Sequence, residues 1–251
     1  MMGYASYHEA LDEGQAVISS DITTTTFGPL HKYVAANDNV PQNRVVVRAG
    51  DFYIVDTDGK NYPMASNTPA EPPRTGDFMQ TFTGRKYWPM DPRPHEVYIE
   101  DIAHSLGLQC RYAGHCIKFY SVAEHSVLIA RHLAATHAPE VALAGLLHDA
   151  PEAYCVDIPR PLKPYLTNYK AIEQDNWLAI AARFGLPKEL PRDVHNADNR
   201  IIADELVNLR EMPWHARHNN PLGVKLRYWS PEEAELEFLA TFDALMAGRV
   251  V

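Results

Sequence analysis

The sequence predicts an all-α main domain that follows an N-terminal extension of different character. After residue 80, apolar residues recur at helical spacing, and Gly or Pro marks the ends of the periodic segments. Residues 1–80 are instead rich in polar residues and turn formers. We therefore expect an extension over residues 1–80 and a helical bundle over residues 81–251.

The extension reads poorly as a compact unit. Its runs of Ser and Thr, and the Pro-rich stretch before residue 77, predict partial disorder. One island within it, residues 44–62, contains two β-prone runs and an Asp58-Gly59 turn signal, so a small β-hairpin is predicted there. No residues in the extension have catalytic spacing, and its purpose stays open.

Composition narrows the classes of partner. The 251-residue chain has a formal net charge of -9, which argues against binding to a nucleic acid polymer or an anionic membrane surface. Its three cysteines are too few for a disulfide framework, and acidic residues lie near the N-terminus where a signal peptide would be basic. We expect a cytoplasmic protein without a membrane span.

The first helices of the main domain are predicted from apolar stripes. Residues 99–106 carry one stripe, with Gly107 as a stop signal, and residues 122–133 carry the next. His125 falls on the second stripe, three residues after Val122 and four before Ile129. Its imidazole is therefore expected to point inward.

A central helix is predicted to follow. Pro139 and Glu140 suit a first turn, and residues 141–147 are apolar on all sides, with His148 and Asp149 at the inner end. Pro151 should break or restart the helix. The proline-rich residues 157–164 are predicted to form an extended, stiff loop.

Three more helices complete the predicted bundle. Residues 169–184 form one that ends at Gly185. The next places Asp198 and Glu205 on the face that also carries Val194 and Ile201, where apolar residues would be expected. The last begins at a capping box that starts with Ser230.

Separate helices thus direct polar groups at one core. A lone inward histidine is more often a hydrogen-bonded core residue, and an isolated His-Asp pair carries little information. Together, however, His125, His148, Asp149 and Asp198 all break apolar patterning, and such breaks cluster at functional sites. Two imidazoles and two carboxylates suit one divalent ion, for which Mn, Co, Zn and Mg are the candidates.

This H…HD…D pattern resembles that of the HD-domain phosphohydrolase superfamily. The resemblance covers about residues 80–245 and is strongest to bacterial HD-type 5'-deoxynucleotidases and phage dATP triphosphohydrolases. It rests on residues 110–112, 121–126, 148–153 and 157–163, which read CRY, SVAEHS, HDAPEA and DIPRPLK.

The resemblance implies roles for five further residues. Glu152 would be catalytic as a general base or acid near the attacking water, and Asp157 would be catalytic near the phosphate and the same water. The ordinary structural roles for such residues are a first-turn acid and a turn former. Arg111 would bind substrate phosphate, and Lys163 would contact distal phosphates. Tyr112 stands where the family usually has Trp against the sugar, which leaves the choice between ribose and deoxyribose open.

The resemblance therefore implies a metal-dependent nucleotide phosphohydrolase. Either a nucleoside 5'-monophosphate or a dNTP can be the substrate, and a homodimer or higher homo-oligomer is expected. Two alternatives remain at this stage: a hydrolase of cyclic or signalling nucleotides, and a catalytically silent binding module that the metal stabilises.

Overall fold

A computed structural model describes residues 45–48, 51–55, 61–63 and 72–249. The chain divides into two compact units, Met1–Pro72 and Pro73–Val251. The sequence analysis placed the boundary after residue 80, whereas the second unit already includes the strand Met79–Gln80. The expected disorder of the extension concerns residues outside the described ranges.

The first unit contains an antiparallel sheet in the order β1-β2-β3. Its strands are β1 (Val45–Arg48), β2 (Asp51–Val55) and β3 (Asn61–Pro63). Val45 pairs with Ile54, and Ile54 pairs in turn with Tyr62. Antiparallel strands thus lie where the hairpin was predicted for residues 44–62, and they number three, because β3 begins at Asn61.

In the second unit the described residues are mainly helical, which confirms the predicted all-α class. A short antiparallel pair, β4 (Met79–Gln80) and β5 (Lys86–Tyr87), precedes the helices. The α-helices are α1 (Ile99–Leu108), α2 (Val122–Ala134), α3 (Pro139–Leu147), α4 (Glu152–Cys155), α5 (Tyr169–Phe184), α6 (Arg192–Glu205) and α7 (Pro231–Gly248).

Helices α2 and α3 form the centre of this unit. They make the most extensive helix contact with each other, and both also pack against α6 and α7. The reason is compositional: α2 buries ten of its residues, and α3 is apolar on nearly every side. Side chains at their ends therefore lie in the interior.

Capping residues define several helix boundaries. Ser121 accepts a hydrogen bond from the Glu124 amide at the start of α2, and Ser230 forms a capping box with Glu233 at the start of α7. Gly185 ends α5 in the left-handed conformation, with φ of 64°. The boundaries at Gly185 and Ser230 agree with the sequence prediction, whereas the cap at Ser121 was not predicted.

The proline-rich loop differs from its prediction as an extended segment. The Pro159 carbonyl accepts hydrogen bonds from the amides of Leu162 and Lys163, and a 3-10 helix, Lys163–Tyr165, follows. The φ of proline suits a tight turn or the start of a helix as well as an extended chain, so the prolines alone did not decide the shape. The bend brings Lys163 back toward α4.

Among the described residues, no helix combines the length and the apolar character that crossing a membrane requires.

Candidate metal centre

His125 lies in the interior on α2. It is fully buried, because the apolar face that carries it packs into the core. Its Nδ1 donates a hydrogen bond to Glu205 Oε1 at 2.7 Å. The other ring nitrogen, Nε2, has no hydrogen-bond partner among the described residues.

His148 and Asp149 follow α3 directly. His148 Nδ1 lies 2.8 Å from the Gly145 carbonyl oxygen, which can only accept, so Nδ1 carries a proton. Its Nε2 is likewise buried without a hydrogen-bond partner. Close packing holds this turn in place: a Cβ added at Gly145 would lie 2.6 Å from Leu133 Cδ1 on α2.

The two Nε2 atoms face the same pair of carboxylates. Asp149 Oδ2 lies 3.6 Å from His125 Nε2 and 3.3 Å from His148 Nε2. Asp198 Oδ1, from α6, lies 3.3 and 3.8 Å from the same two nitrogens. The structure therefore brings together all four residues that the sequence predicted as metal ligands.

This group can hold a metal ion. Ligand atoms of His125, His148 and Asp149 all lie within 4.8 Å of one another. Two buried nitrogens without partners are costly unless something binds them, and imidazole with carboxylate is a donor set for divalent transition metals. The residues present thus fit the ion that the sequence analysis expected.

The electrostatics favour a positive charge at this place. Burial alone would lower the pKa of His148, but the carboxylates of Asp149 and Asp198 raise it to about 9. Burial opposes ionisation of Asp198, yet the neighbouring imidazoles of His125 and His148 lower its pKa far below the ordinary value. The carboxylates thus attract a cation, either a proton on His148 or a metal ion.

Glu152 and Asp157 flank this group from α4 and the loop after it. Glu152 is 5% exposed, and its Oε2 is buried without a hydrogen-bond partner. Burial, together with the charges of Asp149 and Asp157, raises the pKa of Glu152 to about 10. Lys163 Nζ lies 3.7 Å from Glu152 Oε1, and it donates a hydrogen bond to Glu173 at 3.0 Å.

A hydrogen-bonded clamp holds the segment between Glu152 and Asp157. The Gln109 side-chain amide donates to the Glu152 carbonyl at 3.0 Å, and its oxygen accepts from the Asp157 amide at 3.1 Å. Val156 between them has a left-handed φ of 67°, and the Tyr169 hydroxyl donates to its carbonyl at 2.7 Å. A strained β-branched residue held in this way is typical of functional sites.

Arg111 and Tyr112 approach the group from a loop of unusual conformation. Tyr112 and Ala113 have φ of 56° and 51°, and Gly114 is left-handed as well. Arg111 Nη1 lies 3.6 Å from Asp149 Oδ2, which places the guanidinium beside the candidate metal ligands. The Tyr112 hydroxyl donates to Glu205, so in this arrangement it is engaged inside the protein.

Glu205 is a residue of this site whose role the sequence does not predict. It lies on the apolar face of α6, seven residues after Asp198, but this spacing does not identify its partner. In the structure it contacts His125, Arg111 and Tyr112. The signal that could have found it was the repeated acid at i and i+7 on one helix face.

The group that could hold a metal ion does not include His104 or His115. His104 Nδ1 lies 2.8 Å from Glu235, and its ring stacks on Phe82. His115 is exposed. Trp177 is 4% exposed and donates to the Lys188 carbonyl.

Comparison with known proteins places the chain among bacterial relatives. No model of a known protein family matches the sequence. It is 41% identical over 132 residues to the uncharacterized protein YfdR of Escherichia coli (strain K12), covering 53% of this chain and 72% of that protein. It is 32% identical over 188 residues to the uncharacterized protein RCAP_rcc00048 of Rhodobacter capsulatus, covering 67% of this chain and 95% of that protein. The chain therefore belongs to the family that includes YfdR and RCAP_rcc00048.

Proposed function

We propose that this protein is an HD-type, metal-dependent phosphohydrolase that acts on nucleotides. One observation carries the proposal: two buried histidine Nε2 atoms that lack a hydrogen-bond partner among the described residues face the carboxylates of Asp149 and Asp198. The H…HD…D order of these residues supports the assignment to the HD superfamily. A divalent ion bound there would lower the pKa of a water molecule and polarise a phosphoryl oxygen.

The charges around the site suit an anionic substrate. Arg111 lies beside Asp149, and its side chain is 13% exposed, so its permanent charge acts in a weakly screened environment. Lys163 approaches from the proline-rich loop on the side of Glu152. These two cations can bind phosphate oxygens while the four ligand residues hold the ion.

Glu152 is the best placed group for proton transfer. It begins α4 one turn after Asp149, and its amide donates to the Asp149 carbonyl at 2.9 Å. Its buried Oε2 has no partner among the described residues, so this oxygen is available to a water or to a leaving group. Asp157, fixed by the same clamp, would orient the water or the substrate.

A panel of substrates tests the proposal. Purified protein is incubated with ribo- and deoxynucleoside mono- and triphosphates, and with cyclic nucleotides, in the presence of Mn, Co, Zn or Mg. We expect release of phosphate or triphosphate that disappears in Asp149→Ala. Asp193→Ala is the matched control, because this carboxylate is 56% exposed and lies 3.8 Å from His137 Nε2.

Each result has a distinct meaning. Release from a monophosphate or from a dNTP identifies the attacked phosphorus. Turnover of a cyclic nucleotide alone would redirect the proposal to the signalling branch. Metal binding without turnover of any nucleotide would refute catalysis and leave a metal-stabilised binding module.

A further inference from the structure

Glu205 is a fully buried carboxylate at the end of α6. Its Oε1 accepts the hydrogen bond from His125 Nδ1 at 2.7 Å and lies 3.2 Å from Arg111 Nε. Its Oε2 accepts from Arg111 Nη2 at 3.4 Å and from the Tyr112 hydroxyl. Both oxygens are thus engaged by residues of the candidate site.

Stability alone does not require a carboxylate at this position. Removing a charge from water is costly, and a well-packed apolar side chain often serves a helix interface equally well or better. Ile201 and Ile202 fill buried positions on the same helix in that way. The carboxylate is therefore better explained by the groups that it contacts.

Glu124 shows what a purely structural buried glutamate does in this fold. It too is fully buried, and it lies on α2 next to His125. Its oxygens accept hydrogen bonds from the backbone amides of Arg227, Tyr228 and Trp229, which anchors the loop before α7. Glu205 instead contacts side chains, and these come from α2 and from the Arg111 loop.

We infer that Glu205 is a positioning residue that couples the metal ligand His125 to the phosphate-binding Arg111. The hydrogen bond to Nδ1 orients the imidazole and leaves Nε2 directed at Asp149 and Asp198. The same carboxylate holds Arg111 3.6 Å from Asp149. This inference rests on the proposed function, since it assigns a metal ion and a phosphate to the two groups that Glu205 connects.

Metal titration tests the inference without reference to turnover. Glu205→Gln and Glu205→Ala are compared with the wild type by the visible absorption of bound Co²⁺. Loss of a carboxylate partner of a ligating histidine weakens metal affinity about 10–100-fold. We expect that loss in Glu205→Ala, a smaller loss in Glu205→Gln, whose amide oxygen still accepts from Nδ1, and altered Co²⁺ bands in both.

Glu124→Gln is the matched control. It also removes the charge of a fully buried glutamate, so we expect it to lower the melting temperature while Co²⁺ affinity stays at the wild-type value. Equal weakening in Glu124→Gln and Glu205→Gln would assign the loss to general destabilisation and overturn the inference. If Glu205→Ala does not fold, the Co²⁺ affinity and absorption bands of the isosteric Glu205→Gln variant test the inference.

The two hypotheses fail in different ways. A wild-type protein that binds neither Co²⁺ nor any other divalent ion would refute the proposed function. A wild type that binds Co²⁺ and hydrolyses a nucleotide, beside a Glu205→Gln variant with unchanged Co²⁺ affinity and spectrum, would refute the positioning role alone.

Discussion

Replacing Val156 by Gly should relieve backbone strain beside the candidate site. Val156 has φ of 67° and ψ of 146°, a region that residues with a Cβ rarely adopt, and it connects α4 to Asp157. The residue is 58% exposed, so its contribution to the core is small. Val156→Ala also removes the two γ-methyl groups but keeps the Cβ. It is therefore the appropriate reference for Val156→Gly.

The expected gain follows from two opposing effects. A residue held in a sparsely populated backbone region costs about 1–3 kcal/mol. Glycine also has a destabilising effect, because it increases the conformational entropy of the unfolded chain. This effect lowers the free energy of unfolding by roughly 0.4–1 kcal/mol relative to alanine. The free energy of unfolding of Val156→Gly should therefore exceed that of Val156→Ala by about 1 kcal/mol, or about 2–4 °C in melting temperature.

Thermal unfolding and steady-state kinetics of the full chain measure both sides of this change. We expect Val156→Gly to be more stable than Val156→Ala but less active than the wild type, because a freer residue 156 loosens the spacing of Glu152 and Asp157. A Val156→Gly variant no more stable than Val156→Ala would show that this backbone stores no strain. An unchanged kcat would show that the strain does not serve the site.

Three further outcomes are expected. A divalent ion at 100 times its Kd should stabilise the wild type by about 2.7 kcal/mol, and Asp149→Ala should abolish most of that shift in a thermal melt. Gly145→Ala should lower the free energy of unfolding by about 1 kcal/mol, because overpacking against buried Leu133 outweighs the gain in helix propensity. A denaturant titration measures this change, and a variant as stable as the wild type or more stable would contradict the prediction. Ser230→Ala removes the cap of α7 and should lower the free energy of unfolding by about 1 kcal/mol in the same assay. An unchanged free energy of unfolding would mean that the capping box does not stabilise the protein.

Apolar patterning, with Pro139 and Glu140 in the first turn of α3, sufficed to predict the helices that carry the metal group. His125 could be predicted to point inward because it occupies an apolar stripe, and His148 because it ends a helix that is apolar on all sides. These are local properties, readable within a few turns of one helix. The convergence of Asp198 on the same point was inferred from the residue pattern and the family resemblance together.

Contacts between distant residues could not be predicted in the same way. His125 and Glu205 are 80 residues apart, so their hydrogen bond depends on how α2 and α6 pack. The left-handed backbone of Tyr112 and Val156 has no sequence signal either, because neither residue favours that conformation. The turn after Pro159 was missed because the φ of proline suits several shapes.

The order of the ligands along the chain has a consequence for synthesis. His125, His148 and Asp149 all belong to residues 122–149, the α2–α3 hairpin, whose contacts are local and can form early. Asp198 and Glu205 emerge later, by about 2 to 11 s at common translation rates of roughly 5–20 residues per second. We therefore expect a nascent chain to present a three-residue ion site before α6 exists, so that an ion captured early can guide the docking of α6.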